Sequence, residues 1–217
     1  MSSYKDSRIA ILISDRGSNM VSIIEACDSR FLQAKVCLVI SNNLNAKGLL
    51  AAKNAEIHTR CIDHRNYDNR ELFDSAVLAA LNEAKAEYVF LAGFMRILTP
   101  IIINPFLGRL INIHPSLLPK YPGLNTHQRA IDAGDKEAGA TVHFVTTELD
   151  NGPAIAQTRV PILSTDTTET LAKKILEKEH QIYPLCIQLL IEQKIALKGN
   201  KVIMDGRVLP ETGIIYA

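Results

Sequence analysis

Two polar side chains interrupt an apolar run near the middle of the chain, in RLINIHP at residues 109–115. Asn112 and His114 are two positions apart, so in a β-strand they share one face, and Pro115 would end that strand. An asparagine amide can donate to a developing oxyanion, and a histidine carries a proton near neutral pH. The pair predicts a site of proton transfer at the end of a strand, with a purely structural hydrogen-bonded pair as the alternative.

A carboxylate further along the chain could serve this histidine. Asp150 lies in TTELDNGP, between two expected strands. Beside His114 it would orient the imidazole ring and favour the charged form of the ring. The sequence Asp-Asn-Gly-Pro is also strong turn chemistry, so a turn residue is the simpler interpretation of Asp150. The spacing leaves both interpretations open.

A third group of residues lies where the first expected strand meets the first helix. The sequence ISDRGSNM places Gly17, Ser18 and Asn19 at that junction. Backbone N–H groups at a helix amino terminus, together with the helix dipole, attract phosphate. The sequence matches neither the dinucleotide fingerprint nor the Walker motif. In the simpler interpretation, Gly17 makes a tight turn and Ser18 caps the helix.

The remaining histidines and the cysteines lack the spacing of metal ligands, so no metal is predicted. His143 lies in an alternating stretch and is expected to be a sheet-face residue. Each cysteine lies in an apolar stretch, which indicates free core thiols in a reducing compartment: Cys27, Cys37, Cys61 and Cys186.

The order of apolar runs and helical patterns predicts the scaffold. Four apolar runs alternate with helical patterns before residue 93, as βαβα units do. Strands that are apolar on both faces are typical of a parallel sheet covered by helices on both sides, so a doubly wound, mainly parallel α/β fold is expected. The expected strands are 8–14, 35–41, 57–62 and 87–92, and the expected helices are 19–29, 46–55 and 68–85.

The second half of the chain is less regular. Dense prolines after residue 114 exclude regular structure there. Alternating stretches at 139–146 and 154–160 predict an antiparallel C-terminal extension of the sheet, and Asp205-Gly206 predicts the turn of a terminal hairpin. The other expected elements are a Pro-broken helix near 98–106, a strand at 109–114 and a long helix at 167–194 with Thr167 or Thr168 as its N-cap.

Length and charge narrow the class of protein. The chain has 217 residues, 47% of them hydrophobic, and we expect a single domain over residues 1–217. Its 24 Lys and Arg residues balance 23 Asp and Glu residues, so neither nucleic acid nor a membrane is indicated as a partner. The apolar run from Ile9 to Ser14 is too short for a signal peptide. We expect a cytoplasmic protein with small-molecule substrates and no obligate protein partner.

Five motifs occur together in the order and spacing of one known family. They are GSNM at 17–20, AGFMRILTP at 92–100, RLINIHPSLLPKYPG at 109–123, VHFVTTELDNGP at 142–153 and EKEHQIYP at 177–184. With them the chain resembles the phosphoribosylglycinamide formyltransferases over nearly its whole length. The resemblance implies a formyltransferase-like fold. It also implies transfer of a formyl group from 10-formyltetrahydrofolate, as cosubstrate, to the amine of 5-phosphoribosylglycinamide in de novo purine biosynthesis, without a metal.

The resemblance further implies roles for individual residues. The family's catalytic trio is matched by Asn112, His114 and Asp150, and Asn112 is also expected to contact the folate. The family's phosphate loop is matched by Gly17, Ser18 and Asn19, and its contact to the ribose hydroxyls by Glu179. The segment that receives the pterin resembles Met95, Arg96, Ile97 and Leu98, and a further folate contact is matched by Arg70.

Three positions depart from the family's usual residues. Asp15 stands where a glycine is common, Asn125 where a histidine is frequent and Asn151 where a small residue is usual. Asp15 brings an anion close to the expected phosphate loop, and the neighbouring Arg16 can offset its charge.

Two related enzymes and one different class of protein are the alternatives. Formyltetrahydrofolate hydrolases share the three catalytic residue types and use water as the acceptor, but they carry an N-terminal regulatory domain, for which we expect no room before the first strand. Methionyl-tRNA formyltransferases have a second domain and bind tRNA, whereas this chain has no basic excess. A non-catalytic module could use the same pocket to bind nucleotide or folate, although retention of all three catalytic types argues against it.

Overall fold

A four-stranded parallel sheet forms the centre of the first part of the molecule. The computed structural model describes residues 6–216, which fall into two compact units, the first ending at Leu110 and the second beginning at Ile111. Neighbouring strands of the first unit run parallel in the order β4-β1-β2-β3. These strands are β1 (Ser7–Ile13), β2 (Ala34–Ser41), β3 (Thr59–Cys61) and β4 (Tyr88–Leu91). Residues 9–13 are fully buried, because helices cover a parallel sheet of this kind on both faces.

The path of the chain makes the first unit doubly wound. From β1 it moves to β2 and β3, and then returns to the other side of β1 for β4. Because crossovers between parallel strands are right-handed, the first two helices cover one face and the third covers the other. The strand order reverses between β1 and β4, which is where ligands bind in open α/β sheets. The helices of this unit are α1 (Ser18–Asp28), α2 (Lys47–Asn54), α3 (Arg70–Glu83) and α4 (Pro100–Ile103).

The second unit carries a mixed group of strands and one long helix. Its strand order is β11-β7-β6-β5, in which β5, β6 and β7 pair antiparallel and β11 runs parallel to β7. A separate antiparallel sheet has the order β10-β9-β8. The elements of this unit are β5 (Leu110–His114), α5 (Thr126–Asp132), β6 (Glu137–Phe144), β7 (Ala154–Pro161), α6 (Thr168–Ile191), β8 (Ile195–Lys198), β9 (Lys201–Met204), β10 (Arg207–Val208) and β11 (Ile214–Tyr216).

A β-bulge lies beside the end of β6. Val142 pairs with Ala156 of β7, whereas the next residue, His143, pairs with Ala154. The residue between them on β7, Ile155, is therefore extra. Bulges of this kind bend a strand and redirect the side chains near its end.

The fold class predicted from the sequence is confirmed, since the strand pairings of the first unit are parallel and the antiparallel pairings lie in the second half of the chain. The hairpin turn at Asp205 and Gly206 is also confirmed: both residues have positive φ, 48° and 77°, as a tight hairpin turn requires. Thr167 is the N-cap of α6, and its side chain accepts from the N–H of Thr170 in a capping box.

Several boundaries differ from the expectation. The strand expected at 57–62 is only three residues long, and the helix expected at 98–106 spans Pro100–Ile103. The helix α6 ends at Ile191 rather than at 194, because Gln193 adopts a left-handed conformation with φ 56°. The prediction omitted α5, which begins after Asn125 with φ 57°, and the strands β8 and β11.

The burial of the cysteines differs in part from the expectation. The four cysteines are free thiols, but only Cys186 is buried, whereas the other three are partly exposed. The expectation of core thiols is therefore wrong for Cys27, Cys37 and Cys61.

In the part of the chain that the structure describes, no helix combines the length and apolar character needed to cross a membrane.

Candidate active site

The register of β5 against β6 sets the first contact of the site. In this antiparallel pair Asn112 lies directly opposite His143. The amide nitrogen of Asn112 is 3.2 Å from Nε2 of His143, and Nδ1 of His143 is 3.0 Å from the carbonyl oxygen of Phe144. A carbonyl can only accept, so Nδ1 of His143 carries the ring proton and Nε2 accepts from Asn112.

This contact fixes the orientation of the asparagine amide. His143 is 2% exposed, and burial lowers its pKa to about 4, so the ring stays neutral at neutral pH. One Asn112 amide proton is used by His143, and the other has no acceptor within residues 6–216. Asn112 therefore presents one oriented donor beside His114.

His114 lies at the end of β5 between two oxygen acceptors. Its Nε2 is 2.9 Å from the carbonyl oxygen of Tyr121, and its Nδ1 is 3.4 Å from Oδ2 of Asp150. The ring is buried, with 6% exposure. A neutral imidazole has one N–H, so only the imidazolium can serve both oxygens at once. His114 therefore lies between a backbone carbonyl oxygen and a carboxylate oxygen, and each can accept a hydrogen bond from a ring N–H.

The carboxylate of Asp150 is placed by a tight turn. Asp150 has φ 49°, a left-handed conformation that aspartate tolerates. Two residues later, a Cβ on Gly152 would lie 1.8 Å from the carbonyl oxygen of Phe144, so the chain needs glycine at that position. Oδ2 of Asp150 accepts from the N–H of Gly123 at 2.9 Å. Asp150 therefore lies in a turn, and its carboxylate also faces His114.

The proline-rich loop after β5 closes around this histidine. Thr141 on β6 donates to the carbonyl oxygen of Ser116 at 2.7 Å, and its hydroxyl accepts from the N–H of Leu118 at 3.1 Å. Gln157 on β7 donates to the carbonyl oxygen of Leu118 at 2.7 Å. At the far end of the loop, Asp135 accepts from the Tyr121 hydroxyl at 2.9 Å. These bonds hold the backbone groups that contact His114 and Asp150.

Glu179 lies in the same unit, within α6, and is 6% exposed. A carboxylate buried to this extent needs hydrogen-bonding partners, and Glu179 has interactions with the surrounding protein. Among residues 6–216 there is no group of three or more His, Cys, Asp or Glu side chains that could hold a metal ion.

In the first unit, Gly17, Ser18 and Asn19 form the entry to α1. Gly17 has φ 69° and is itself the N-cap, with no side-chain cap, so the expectation that Ser18 caps the helix is wrong. Ser18 is instead the first helical residue. The carbonyl oxygen of Asp15 accepts from the N–H of Gly48 at 3.0 Å, which holds the loop against the start of α2.

The segment expected to receive the pterin follows β4. Met95 is 63% exposed and Ile97 47% exposed, whereas Leu98 is buried. Arg70 is the first residue of α3, whose N-cap Asn69 accepts from the N–H of Leu72 at 2.8 Å. The structure thus brings together the expected catalytic trio within the second unit, and it places the phosphate loop and this segment after neighbouring strands of the first.

Reasoning from the sequence missed three residues of these sites. His143 was expected only to face the sheet, although a polar residue in an apolar strand, like Asn112, is itself a signal. Tyr121 contributes through its backbone carbonyl oxygen, which no side-chain pattern indicates. Ser14, which ends the first apolar run, lies 2.7 Å from the N–H of Met95.

Comparison with known proteins identifies the family. Residues 7–187 match the Formyl transferase family, so the chain belongs to that family. The family resemblance found in the sequence is therefore confirmed.

Individual relatives are more specific. The phosphoribosylglycinamide formyltransferase of Haemophilus influenzae is 46% identical over 206 residues, which cover 95% of this chain and 97% of the relative. That of Escherichia coli is 42% identical over 205 residues, covering 94% of this chain and 97% of the relative. A solved structure of the phosphoribosylglycinamide formyltransferase of Coxiella burnetii superposes with a TM-score of 0.92 at 39% identity and covers 98% of this chain and 100% of that one.

Proposed function

We propose that the protein transfers a formyl group from 10-formyltetrahydrofolate to the primary amine of 5-phosphoribosylglycinamide, a step of de novo purine biosynthesis. The observation that carries the proposal is the arrangement of Asn112, His114 and Asp150: an oriented amide donor next to a histidine that faces a carboxylate. The chain is 46% identical to the phosphoribosylglycinamide formyltransferase of Haemophilus influenzae, and this identity supports the choice of substrates.

The roles of the trio follow from the atoms that must move. The amine nitrogen attacks the formyl carbon, and the formyl oxygen becomes an oxyanion that accepts a hydrogen bond from the remaining amide N–H of Asn112. The amine must then lose one proton, and the folate nitrogen must gain one as its bond to carbon breaks. His114 carries that proton, and Asp150 holds the ring in its orientation. The substrate replaces the carbonyl oxygen of Tyr121 as the partner of Nε2.

Together these effects contribute substantially to the rate. General acid–base catalysis contributes about 10² to 10⁴ in rate, and one oxyanion donor about 2.7 to 4 kcal/mol. Alignment of the two substrates adds to both effects. Every step is assigned to a side chain or a substrate, and the proposal invokes no metal.

The substrate contacts are assigned by position. The ribonucleotide phosphate binds at Gly17, Ser18 and Asn19, where α1 begins and its dipole favours an anion. Glu179 accepts from the ribose hydroxyls. The folate is bound by Arg70 and by the segment Met95, Arg96, Ile97 and Leu98, whose apolar side chains suit a flat heterocycle, and by Asn112. We further propose one formyltransferase domain over residues 1–217, since the family match runs through both units.

The proposal includes the setting of the enzyme. We infer a cytoplasmic protein that needs small-molecule substrates and no obligate protein partner. The bacterial relatives support the absence of an obligate protein partner, because each is matched over 97% of its length by this chain alone.

One assay tests the function against its rivals. The protein is mixed with 10-formyltetrahydrofolate, with and without 5-phosphoribosylglycinamide, and deformylated folate is followed by absorbance. Turnover only with both compounds is the expected result. Loss of the formyl group without the ribonucleotide would identify a hydrolase, and binding without turnover would identify a non-catalytic module.

A further inference from the structure

The segment between β4 and α4 combines exposed apolar side chains with unpaired backbone groups. Met95 and Ile97 are largely exposed. Within residues 6–216 no hydrogen bond is recorded to the backbone groups of Arg96, Ile97 or Leu98. A short stretch with these properties does not hold one conformation in water unless its ends are fixed.

Ser14 fixes the first end of this segment. Its hydroxyl oxygen accepts from the N–H of Met95 at 2.7 Å, and its own N–H donates to the carbonyl oxygen of Gly93 at 3.1 Å. The single hydroxyl proton is donated to Oδ1 of Asn42 at 2.6 Å. Because that proton is already used, the oxygen of Ser14 can serve Met95 only as an acceptor. The donor and the acceptor of each hydrogen bond made by the Ser14 hydroxyl are thereby fixed.

The partner Asn42 is itself held in one orientation. Its Oδ1 accepts from Ser14, and Nδ1 of His64 lies 3.1 Å from its amide nitrogen and 3.3 Å from its backbone carbonyl oxygen. Ser14 and Asn42 are 8% and 5% exposed, so water does not compete freely for these bonds.

Asp74 fixes the second end. It lies on α3, one turn beyond Arg70, and is 1% exposed. Its Oδ2 accepts from the N–H of Thr99 at 2.6 Å. Thr99 is the N-cap of α4, and Asp74 accepts from its backbone N–H, one of the donors at a helix start that have no partner within the helix. A buried carboxylate is costly where packing alone is needed, and an apolar side chain would serve packing better.

We propose that Ser14 and Asp74 are positioning residues for the folate, which hold residues 95–98 from both ends in the conformation that receives the pterin. Both act through backbone amides, those of Met95 and Thr99. The inference rests on the proposed function, which assigns this segment to the folate. A segment already held in its bound conformation loses less entropy on binding, so the two side chains raise the affinity for folate.

The first test replaces Ser14. In Ser14→Ala the dissociation constant of tetrahydrofolate, measured by calorimetry, and the KM for 10-formyltetrahydrofolate should each rise about two- to tenfold, as for loss of one neutral hydrogen bond. The KM for the ribonucleotide and kcat should change less than about twofold. Ser14→Thr keeps the hydroxyl and should restore the affinity.

Ser41 provides the matched control for this serine. It ends the neighbouring strand β2, is fully buried, and donates its hydroxyl proton to the carbonyl oxygen of Asn43 at 3.0 Å. Ser41→Ala therefore removes a comparable buried hydroxyl without touching Met95, and it should leave the folate constants unchanged.

The second test replaces Asp74. Asp74→Ala should weaken tetrahydrofolate binding, whereas Asp74→Asn, which keeps an acceptor for the N–H of Thr99, should retain most of the affinity. Val77→Ala, also buried on α3, is the control for a general loss of packing. Amide hydrogen exchange should accelerate at Met95 in the Ser14 variant and at Thr99 in the Asp74 variant.

The outcomes separate this inference from the proposed function. Unchanged folate constants in both Ser14→Ala and Asp74→Ala would overturn the positioning role, as would equal rises in the KM values of both substrates. Absence of transfer by the wild-type protein would overturn the proposed function instead. The tetrahydrofolate constants do not depend on turnover, so they decide the positioning role in either case.

Discussion

Replacing His143 by glutamine should remove a pH-dependent part of the free energy of unfolding. His143 is buried and neutral, with Nδ1 donating to Phe144 and Nε2 accepting from Asn112. Burial lowers its pKa to about 4 in the folded protein, whereas a histidine in an unfolded chain titrates near 6.5. The two states therefore take up the proton at different pH.

The lower pKa belongs to the folded state, so the unfolded chain binds the proton first as the pH falls. The contribution of His143 to stability is fully present above about pH 6.5 and is lost as the pH falls towards 4. One pKa unit corresponds to about 1.36 kcal/mol, so the full difference amounts to about 3 kcal/mol. Between pH 7 and pH 4.5 the loss is about 2 kcal/mol.

Urea unfolding in half-unit steps from pH 4.5 to 7.5 measures this loss. The free energy of unfolding of the wild type should fall relative to that of His143→Gln by about 2 kcal/mol over this range. His58 is exposed, so His58→Gln is the control and should keep the shape of the wild-type curve. Parallel curves for the wild type and His143→Gln would refute a neutral, buried His143.

Three further predictions concern the substrate contacts and the catalytic trio. Gly17→Val should weaken binding of the ribonucleotide and spare that of folate, because Gly17 has φ 69° and a branched side chain there would strain the loop; calorimetry with both ligands decides, and equal losses would contradict it. Asn112→Ala should lower kcat by about 10² to 10³, as loss of an oxyanion donor does, with little change in Tm; activity within a few-fold of the wild type would exclude that role. Asp150→Asn, which keeps the turn, should lower kcat, and adding His114→Ala should cost far less than the sum of the single losses; fully additive losses would leave Asp150 as a turn residue.

The sequence predicts side chains that share one strand better than contacts between strands. The spacing of Asn112 and His114 places both on one face wherever β5 pairs, so local geometry is enough. The contact of Asn112 with His143 depends on the register of β5 against β6. No local pattern encodes that register, and for this reason His143 could be predicted only as a sheet-face residue.

The same distinction applies to the fold. The strands β1, β2 and β4 were predictable because a short, unbroken apolar run is typical of a buried strand. The helix α5 was not, because Asn125 starts it from a left-handed conformation without a side-chain cap. The anchoring role proposed for Ser14 was also invisible, since its partners Asn42 and Met95 come from different crossovers of the sheet.

The bulge in β7 makes the hairpin that carries Asp150 sensitive to changes in chain length. Ile155 is the one residue of β7 without a partner on β6. Deleting Ile155 would leave Ala154 opposite His143 in a regular ladder, and the bend and extra twist that the bulge gives the strand beside the hairpin would be lost. The carboxylate of Asp150 would then no longer face His114, although the sequence would still contain every catalytic residue. Libraries of variants should therefore contain many tolerated substitutions in this hairpin and no active single-residue deletion.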